Sequence, residues 1–298
     1  MHKLYYQKPG VSDTTEGAAG KAARAASPAA AIPAGAARPT AAAQTALLIA
    51  ALLFLPAAGL FAITGEEAAE NVYNRDTGQT MHSLAELNLI ESDGSTSNRL
   101  IENWTRDPEN GTGASVIVFH KPASVQNTRF LTVENESGSD DQWIYLPGLG
   151  RVRRIAASEG DSSFMGTDFT YDDMQTREVD EDSHRILREE EAGGRDCYVV
   201  ESVPKDPEDS QYSKRIQWIA KDIWVPMKVD FYDKDGELLK TLTVERLEKV
   251  QGIWTTINTT IENHQTGHAT EMNVQKLVYN EELPDNLFTT NFLRTGRP

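Results

Sequence analysis

Apolar and polar residues alternate along most of the chain after residue 80, which is the pattern of strands that bury one face. In MHSLAELNLIES, Met81, Leu87 and Leu89 fall on the same side of the predicted strand. Asp93-Gly94 follows, a dipeptide typical of a tight hairpin turn, and a second alternating run returns after it. The chain therefore opens its ordered part with a β-hairpin.

The last third of the chain shows the same alternation most clearly. Five alternating runs follow one another between residues 213 and 280, and Asp235-Gly236, Gln251-Gly252 and Thr266-Gly267 supply tight turns between the last four. Strands joined by such short turns pair with their sequence neighbours as an antiparallel meander. We expect about eleven strands in one continuous meander and see no strand–helix alternation of the kind that builds a parallel sheet.

Few segments are suited to helices. GEEAAENVYNRD, with acidic residues in its first turn, and LPDNLFTTNFL near the end are the only clear candidates. A large antiparallel sheet twists and must curl. The predicted fold is therefore mainly β, a strongly bent antiparallel sheet that forms an incomplete barrel, with a few short covering helices. Such a fold leaves a concave apolar surface of the kind that binds ligands.

The N-terminal part differs from the rest of the chain. Residues 1–45 are rich in Ala and Pro and predict a disordered tail. Residues 46–62 carry no charge and follow basic residues, which is typical of the hydrophobic region of a signal peptide, with cleavage after Ala62. The same run is long enough to act as an uncleaved membrane anchor. Residues 63–298 then form one exported domain.

Composition and motifs narrow the function. A net charge of −16 argues against nucleic-acid binding, which requires a basic surface. Cys197 is the only cysteine, so no internal disulfide is expected, and the scattered histidines do not have metal-ligand spacing. No nucleophile elbow, phosphate loop or dinucleotide turn is present. A pair of catalytic carboxylates stays open because acids are abundant, but we expect no enzyme, metal or cofactor.

The stretch from Trp143 to Met174 combines a hairpin, an arginine cluster and a glycine-containing apolar loop. Arg153 and Arg154 have two interpretations. They pair with Asp168, Asp172 or Asp173 at a solvated rim, as arginines near acids commonly do. Alternatively, one of them holds a loop over the cavity or contacts a lipid head group.

These residues resemble the LolA-like family of outer-membrane lipoprotein-sorting proteins, and within it an exported branch of uncharacterised members. The matching motifs are DQW at 141–143, YLP at 145–147, RVRRI at 151–155, SFMG at 163–166, DF at 168–169 and YDDM at 171–174. Further matches are PMK at 226–228, FYD at 231–233 and the closing LP at 283–284 with Phe288.

The resemblance implies a bent half-barrel with a lid and an apolar cavity. We expect a periplasmic protein that binds an acyl lipid or lipoprotein and carries it between the inner and outer membranes, with an inner-membrane transporter and an outer-membrane acceptor as partners. The alternative is a membrane-anchored periplasmic lipid sensor with a regulatory or transporter-accessory role. The cavity candidates are Trp143, Tyr145, Phe164, Met165, Met227, Val229 and Phe231.

Overall fold

Thirteen antiparallel strands form a single sheet within residues 63–107, 113–135 and 138–298, the parts of the chain that the computed structural model describes. All described residues belong to one unit. The strands are β1 Thr80–Ile90, β2 Thr96–Arg106, β3 Ala114–Lys121, β4 Arg129–Val133, β5 Asp141–Leu146, β6 Arg151–Arg154, β7 Asp182–Ala192, β8 Arg195–Pro204, β9 Lys214–Ala220, β10 Pro226–Tyr232, β11 Leu238–Val250, β12 Ile253–Asn263 and β13 Ala269–Tyr279.

The predicted mainly β fold is confirmed, but the strands form two meanders and not one. The strand order is β6-β5-β4-β3-β2-β1-β13-β12-β11-β10-β9-β8-β7, so β1 and β13 pair in the middle of the sheet. The expected count of about eleven is too low by two. The pairing of β1 with β13 joins residues almost two hundred positions apart, which local alternation cannot reveal.

Two short α-helices are present in the described part. Helix α1, Gly65–Tyr73, begins at Thr64, whose side chain and that of Glu67 form a capping box. Helix α2, Thr290–Thr295, begins at Thr289 and ends at Gly296, which has a positive φ of 67°. Both lie where the sequence predicts short helices. Within the described ranges, no helix is long and apolar enough to cross a membrane.

The two faces of the sheet can be assigned from the strand register, because residues directly opposite each other share a face. The face that carries Val229, Leu242 and Ile261 is here called the inner face. It continues through β13 and β1 to Phe130 and Ile144 on β4 and β5. Helix α1 packs on the inner face near one edge of the sheet, against Val200 of β8 and Ile219 of β9.

Residues 155–181, here called the strap, connect β6 at one edge of the sheet to β7 at the other. Gln142 of β5 donates a hydrogen bond to the Tyr171 carbonyl, while Lys240 of β11 binds the Asp173 carboxylate only two residues further along. On a flat sheet those strands would lie seven spacings apart, about 34 Å. Two residues span at most about 7 Å, so the sheet must curl around the strap.

The opposite, outer face is covered at β2–β6 by the C-terminal segment. Leu287, Phe288, Phe292 and Leu293 pack there against Val116, Val118 and Leu131. The predicted tail at residues 1–45 and hydrophobic region at 46–62 lie outside the described residues.

Candidate functional site

The inner face is filled by aromatic side chains of the strap. The Phe164 ring lies 4.9 Å from that of Phe130 and 5.8 Å from that of Phe119, measured between ring centroids. Tyr171 of the strap lies 5.8 Å from both Phe130 and Phe164. Together with Phe169 these side chains belong to the largest buried cluster, which contains residues from both meanders. The strap thus occupies the space that a bent sheet would offer to an apolar ligand.

The tip of the strap has a local structure of its own. Phe164 N–H donates to the Phe169 carbonyl at 2.7 Å, and Ser163 and Thr170 form an antiparallel bridge. The turn between them contains Met165 at φ 54° and Gly166 at φ 81°, a conformation that glycine adopts without steric cost. The strap therefore presents its apolar residues from a small preformed hairpin.

Lys240 of β11 is the main polar contact between the strap and the sheet. Its Nζ atom donates to the Asp168 carbonyl at 2.8 Å and to Asp173 Oδ2 at 2.5 Å. The side chain is only 2% exposed, and its ammonium lies 5.3 Å from the centre of the Phe231 ring. A buried ammonium requires such partners because its unpaired charge would be costly to desolvate.

Further polar contacts hold the same two aspartates. Asp168 Oδ2 lies 2.6 Å from His268 Nδ1 and accepts a hydrogen bond from Thr270 Oγ1 at 2.7 Å. Tyr212 donates its hydroxyl proton to Asp173 Oδ1 at 2.7 Å. The strap is consequently attached to β13, to β11 and to the segment before β9 through side chains.

A buried ionic group lies beyond the C-terminal end of the strap. Arg177 of the strap and Arg215 of β9 both contact the Asp182 carboxylate, which is fully buried. Burial alone would raise the pKa of Asp182, but the two guanidinium groups hold it below its ordinary value. This carboxylate is therefore ionised at neutral pH and fixes the end of the strap to the sheet.

A polar cleft adjoins these contacts. Its walls include Asp172, Asp173, Arg177, Arg215 and Phe231. Burial, reinforced by the neighbouring carboxylate of Asp173, raises the pKa of Asp172. The cleft thus combines charged walls with Phe231, an aromatic residue of the inner cluster.

The structure divides the predicted cavity residues between two clusters. Phe164, Val229 and Phe231 are buried on the inner face, and Met165 packs against the same cluster. Met227 also belongs to the inner cluster and lies at a β-bulge of β10. Its side chain lies under the β7–β8 turn: a Cβ atom placed on Gly193 of that turn would be 2.7 Å from the Met227 Cε atom.

Trp143 and Tyr145 occupy the other face. Trp143 is opposite Leu131 in the strand register, and both residues belong to the outer cluster beneath α2. The alternation of β5 is as the sequence predicts, with Gln142 and Ile144 buried on the inner side. Which of the two sides faced the strap could not be read from alternation alone.

Neither predicted arginine contacts Asp168, Asp172 or Asp173. Arg153 binds Glu159 at 2.8 Å, and Arg154 forms an ion pair with Asp141 on the neighbouring strand β5. The expected pairing fails because Lys240, His268, Thr270 and Tyr212 already bind two of these aspartates. Sequence reasoning missed Lys240, the residue that binds two aspartates of the strap. In LLKTLTV it stands between Leu238 and Leu242, at a position that alternation places on the apolar face.

In the described part of the chain, no group of three or more His, Cys, Asp and Glu side chains could hold a metal ion. Cys197 is buried, and burial raises the pKa of its thiol.

Comparison with known proteins gives two solved structures of clear similarity. A domain from Vibrio parahaemolyticus, provisionally described as an outer membrane lipoprotein-sorting protein domain, is 34% identical, with a TM-score of 0.72 over 77% of this chain and 98% of its own. A DUF1329 family protein from Desulfovibrio piger is 33% identical, with a TM-score of 0.73 over 77% of this chain and 97% of its own.

A more distant solved structure has a similar fold. A LolA superfamily protein from Nitrosomonas europaea is 20% identical, with a TM-score of 0.60 over 77% of this chain and 99% of its own. The profile of a family described as "uncharacterized protein" matches residues 111–295. No curated protein sequence gives a significant match.

Proposed function

Since the chain belongs to the LolA-like family of outer-membrane lipoprotein-sorting proteins, we propose that it binds the acyl chain of a lipid or lipoprotein on the inner face of its sheet. We further propose that it works in the periplasm as a carrier between the inner and outer membranes. An inner-membrane donor and an outer-membrane acceptor would then be its partners.

One observation carries this proposal. A continuous apolar surface extends across both meanders, and much of its cover is an irregular strap attached by side chains. Burial of apolar surface is the main source of affinity for an acyl chain, at about 0.8 kcal/mol for each methylene removed from water. The inner face supplies such a surface, and the strap is the element whose displacement exposes it.

The strap side chains indicate how a ligand would enter. Phe164 and Phe169 fill the cluster in the present state, so an acyl chain must take their place. The contacts of Lys240 with Asp168 and Asp173 must break or rearrange when the strap moves. Because a ligand favours the state to which it binds more tightly, acyl chains would stabilise the open form. The polar cleft beside Arg177 and Arg215 would then accommodate the head group.

The test is binding of a fluorescent C16 fatty acid to the full chain after lipid extraction. Phe164→Ala opens space in the inner cluster, whereas Phe292→Ala removes the same side chain from the outer cluster, at comparable burial. We expect the wild-type protein to bind the probe with saturation. Phe164→Ala should bind it about tenfold more tightly, because less of the strap has to be displaced. Phe292→Ala should bind it as the wild type does.

The two variants also control for folding, since both should lose stability to a similar extent. Absence of saturable binding by the wild type would exclude acyl-chain binding. An equal change in affinity in both variants would show that the probe responds to general loosening and not to the inner face.

A further inference from the structure

Three segments of this acidic chain contain basic residues and no acidic ones. Residues 114–133, 142–158 and 286–298 contain no Asp or Glu, although the whole chain has a net charge of −16. Their basic residues are Lys121, Arg129, Arg151, Arg153, Arg154, Arg294 and Arg297. Where such segments meet on the surface, they attract an anionic partner.

The fold brings these segments together at one edge of the sheet. Helix α2 packs against β4, β5 and β6. Arg129 of β4 donates to the Leu293 carbonyl at 2.8 Å, and its guanidinium lies 5.0 Å from the centre of the Tyr145 ring. Tyr145 is opposite both Arg129 and Val152, only one residue before the end of β5. The last turn of α2 and the β5–β6 turn therefore lie at the same end of this edge.

The β5–β6 turn carries an exposed apolar residue. Leu149 in the Pro147–Gly150 turn is 58% exposed, more than any other large hydrophobic side chain of the described part. The turn is closed by the pair Leu146 and Arg151. Arg151 is exposed and has no ion pair or hydrogen bond to another described residue. A solvated leucine thus projects beside an unpaired guanidinium group.

We propose that this basic edge, with Leu149 at its tip, docks on the surface of an anionic phospholipid bilayer. Leu149 would enter the boundary between head groups and acyl chains, while Arg151 and Arg294 would contact lipid phosphates. Basic residues near an anionic leaflet are attracted to it over roughly a Debye length, and an apolar side chain adds insertion.

The apolar tip favours a bilayer over an acidic protein. An acidic protein surface would pair with the arginines but would offer nothing to an isolated leucine on a turn, whereas the bilayer interface accepts both. The whole chain has a net charge of −16, so an anionic membrane repels it overall and favours approach through a basic surface. The docking surface lies on a different part of the sheet from the strap contacts of Lys240, so docking and acyl binding can be tested separately.

The experiment places a fluorophore at the tip of the full-length protein. Leu149→Cys provides one reactive thiol, because the native Cys197 is buried and its thiol pKa is raised. Val278→Cys, at another exposed apolar position, 42% exposed, is the matched control. Vesicles of phosphatidylcholine with or without phosphatidylglycerol carry a nitroxide-labelled lipid that quenches only a fluorophore touching the bilayer. We expect quenching at position 149, none at 278, and little with the neutral vesicles.

Charge variants then test the arginines in the Leu149→Cys protein. Arg151→Gln and Arg294→Gln should each raise the lipid concentration for half-maximal quenching about fivefold. Arg185→Gln, which removes an exposed arginine on β7, the last strand at the opposite end of the strand order, should leave it unchanged. Equal quenching at positions 149 and 278, or no quenching at 149, would overturn the proposal. Retention of full quenching in both arginine variants would overturn the role of the basic edge. Binding of an acidic protein in place of vesicles would identify the surface as a protein interface.

Discussion

The two covers of the sheet differ in how they are attached. On the outer face, α2 is attached mainly by apolar burial: Phe292 and Leu293 are buried, and Arg129 adds one hydrogen bond. On the inner face, the strap combines buried aromatic residues with a dense set of polar contacts from Lys240, His268 and other side chains. Helix α2 is thus packed like an ordinary hydrophobic core, whereas the strap combines a hydrophobic core with electrostatic contacts.

Under the proposed function, this difference predicts which cover opens. Displacing α2 would expose a purely apolar cluster to water, and nothing in that cluster compensates. Under the proposed function, displacing the strap exposes apolar surface that an acyl chain covers again, and it releases charged groups that water solvates well. A site that must open and close is better built with such contacts than with burial alone.

The largest expected effect comes from removing the buried ammonium group. Lys240→Met should lower the free energy of unfolding by about 3–5 kcal/mol, because it leaves the Asp173 carboxylate partly buried without its cation. Amides of residues 161–175 should lose protection from hydrogen exchange to a greater extent than those of α2. Denaturant unfolding and hydrogen exchange measure the two quantities.

The control for this prediction is Lys228→Met on the neighbouring strand. Lys228 also lies near a carboxylate, 3.0 Å from Asp230, but its side chain is 36% exposed. The Asp230 carboxylate is buried but keeps its hydrogen bond from Thr241, and the Lys228 ammonium is partly solvated, so the loss should be smaller, about 1 kcal/mol. If the two variants lost the same stability, the Lys240 contacts would not be what holds the strap.

An intermediate effect is expected on the outer face. Leu293→Ala should lower the free energy of unfolding by about 2–4 kcal/mol, since this side chain is fully buried beneath α2. Exchange protection of the strap and binding of the acyl probe should stay as in the wild type. A parallel loss of strap protection would show that the two covers are energetically coupled across the sheet.

The smallest effect concerns a carboxylate that joins β5 to the strap. Asp140 Oδ2 accepts a hydrogen bond from Thr176 N–H at 2.8 Å, and burial raises the pKa of Asp140 to about 6. The folded state therefore holds more protons than the unfolded chain between about pH 4 and pH 6. This carboxyl group contributes stability at low pH, and that contribution is lost as the pH rises through this window.

Asp140→Asn removes this titration and can keep the hydrogen bond from Thr176. We expect the variant to be about 1–2 kcal/mol more stable than the wild type at pH 7 and to equal it near pH 4. Thermal unfolding at several pH values measures the difference. An unchanged pH dependence would mean that Asp140 has an ordinary pKa in the folded protein.

Much of the fold could be predicted from local pattern. Alternation predicted about eleven of the thirteen strands, and turns such as Asp235-Gly236 located the hairpins, because strand period and turn chemistry are properties of adjacent residues. The pairing of β1 with β13 could not be predicted in this way. It depends on contacts between distant residues, for which the local sequence holds no signal.

The candidate site was predicted less completely than the fold. Phe164, Val229 and Phe231 share the inner cluster, but Trp143 belongs to the outer one, and Arg153 and Arg154 bind other acids than expected. Lys240 was missed, although a lysine is unusual at a strand position that alternation places on the apolar face. A buried lysine is meaningful only once its partners are known, and Asp168 and Asp173 lie about seventy residues away.

The sequence by itself determined the class of the fold, the alternation of faces and the charge of each segment. These properties follow from residue type and spacing, so they are already present in the unfolded chain. Only the tertiary structure decided which face lies under the strap, which cation holds it and which basic segments meet at one edge. Those outcomes depend on the curl of the sheet and on the β1–β13 junction, which bring together side chains that are far apart in the chain.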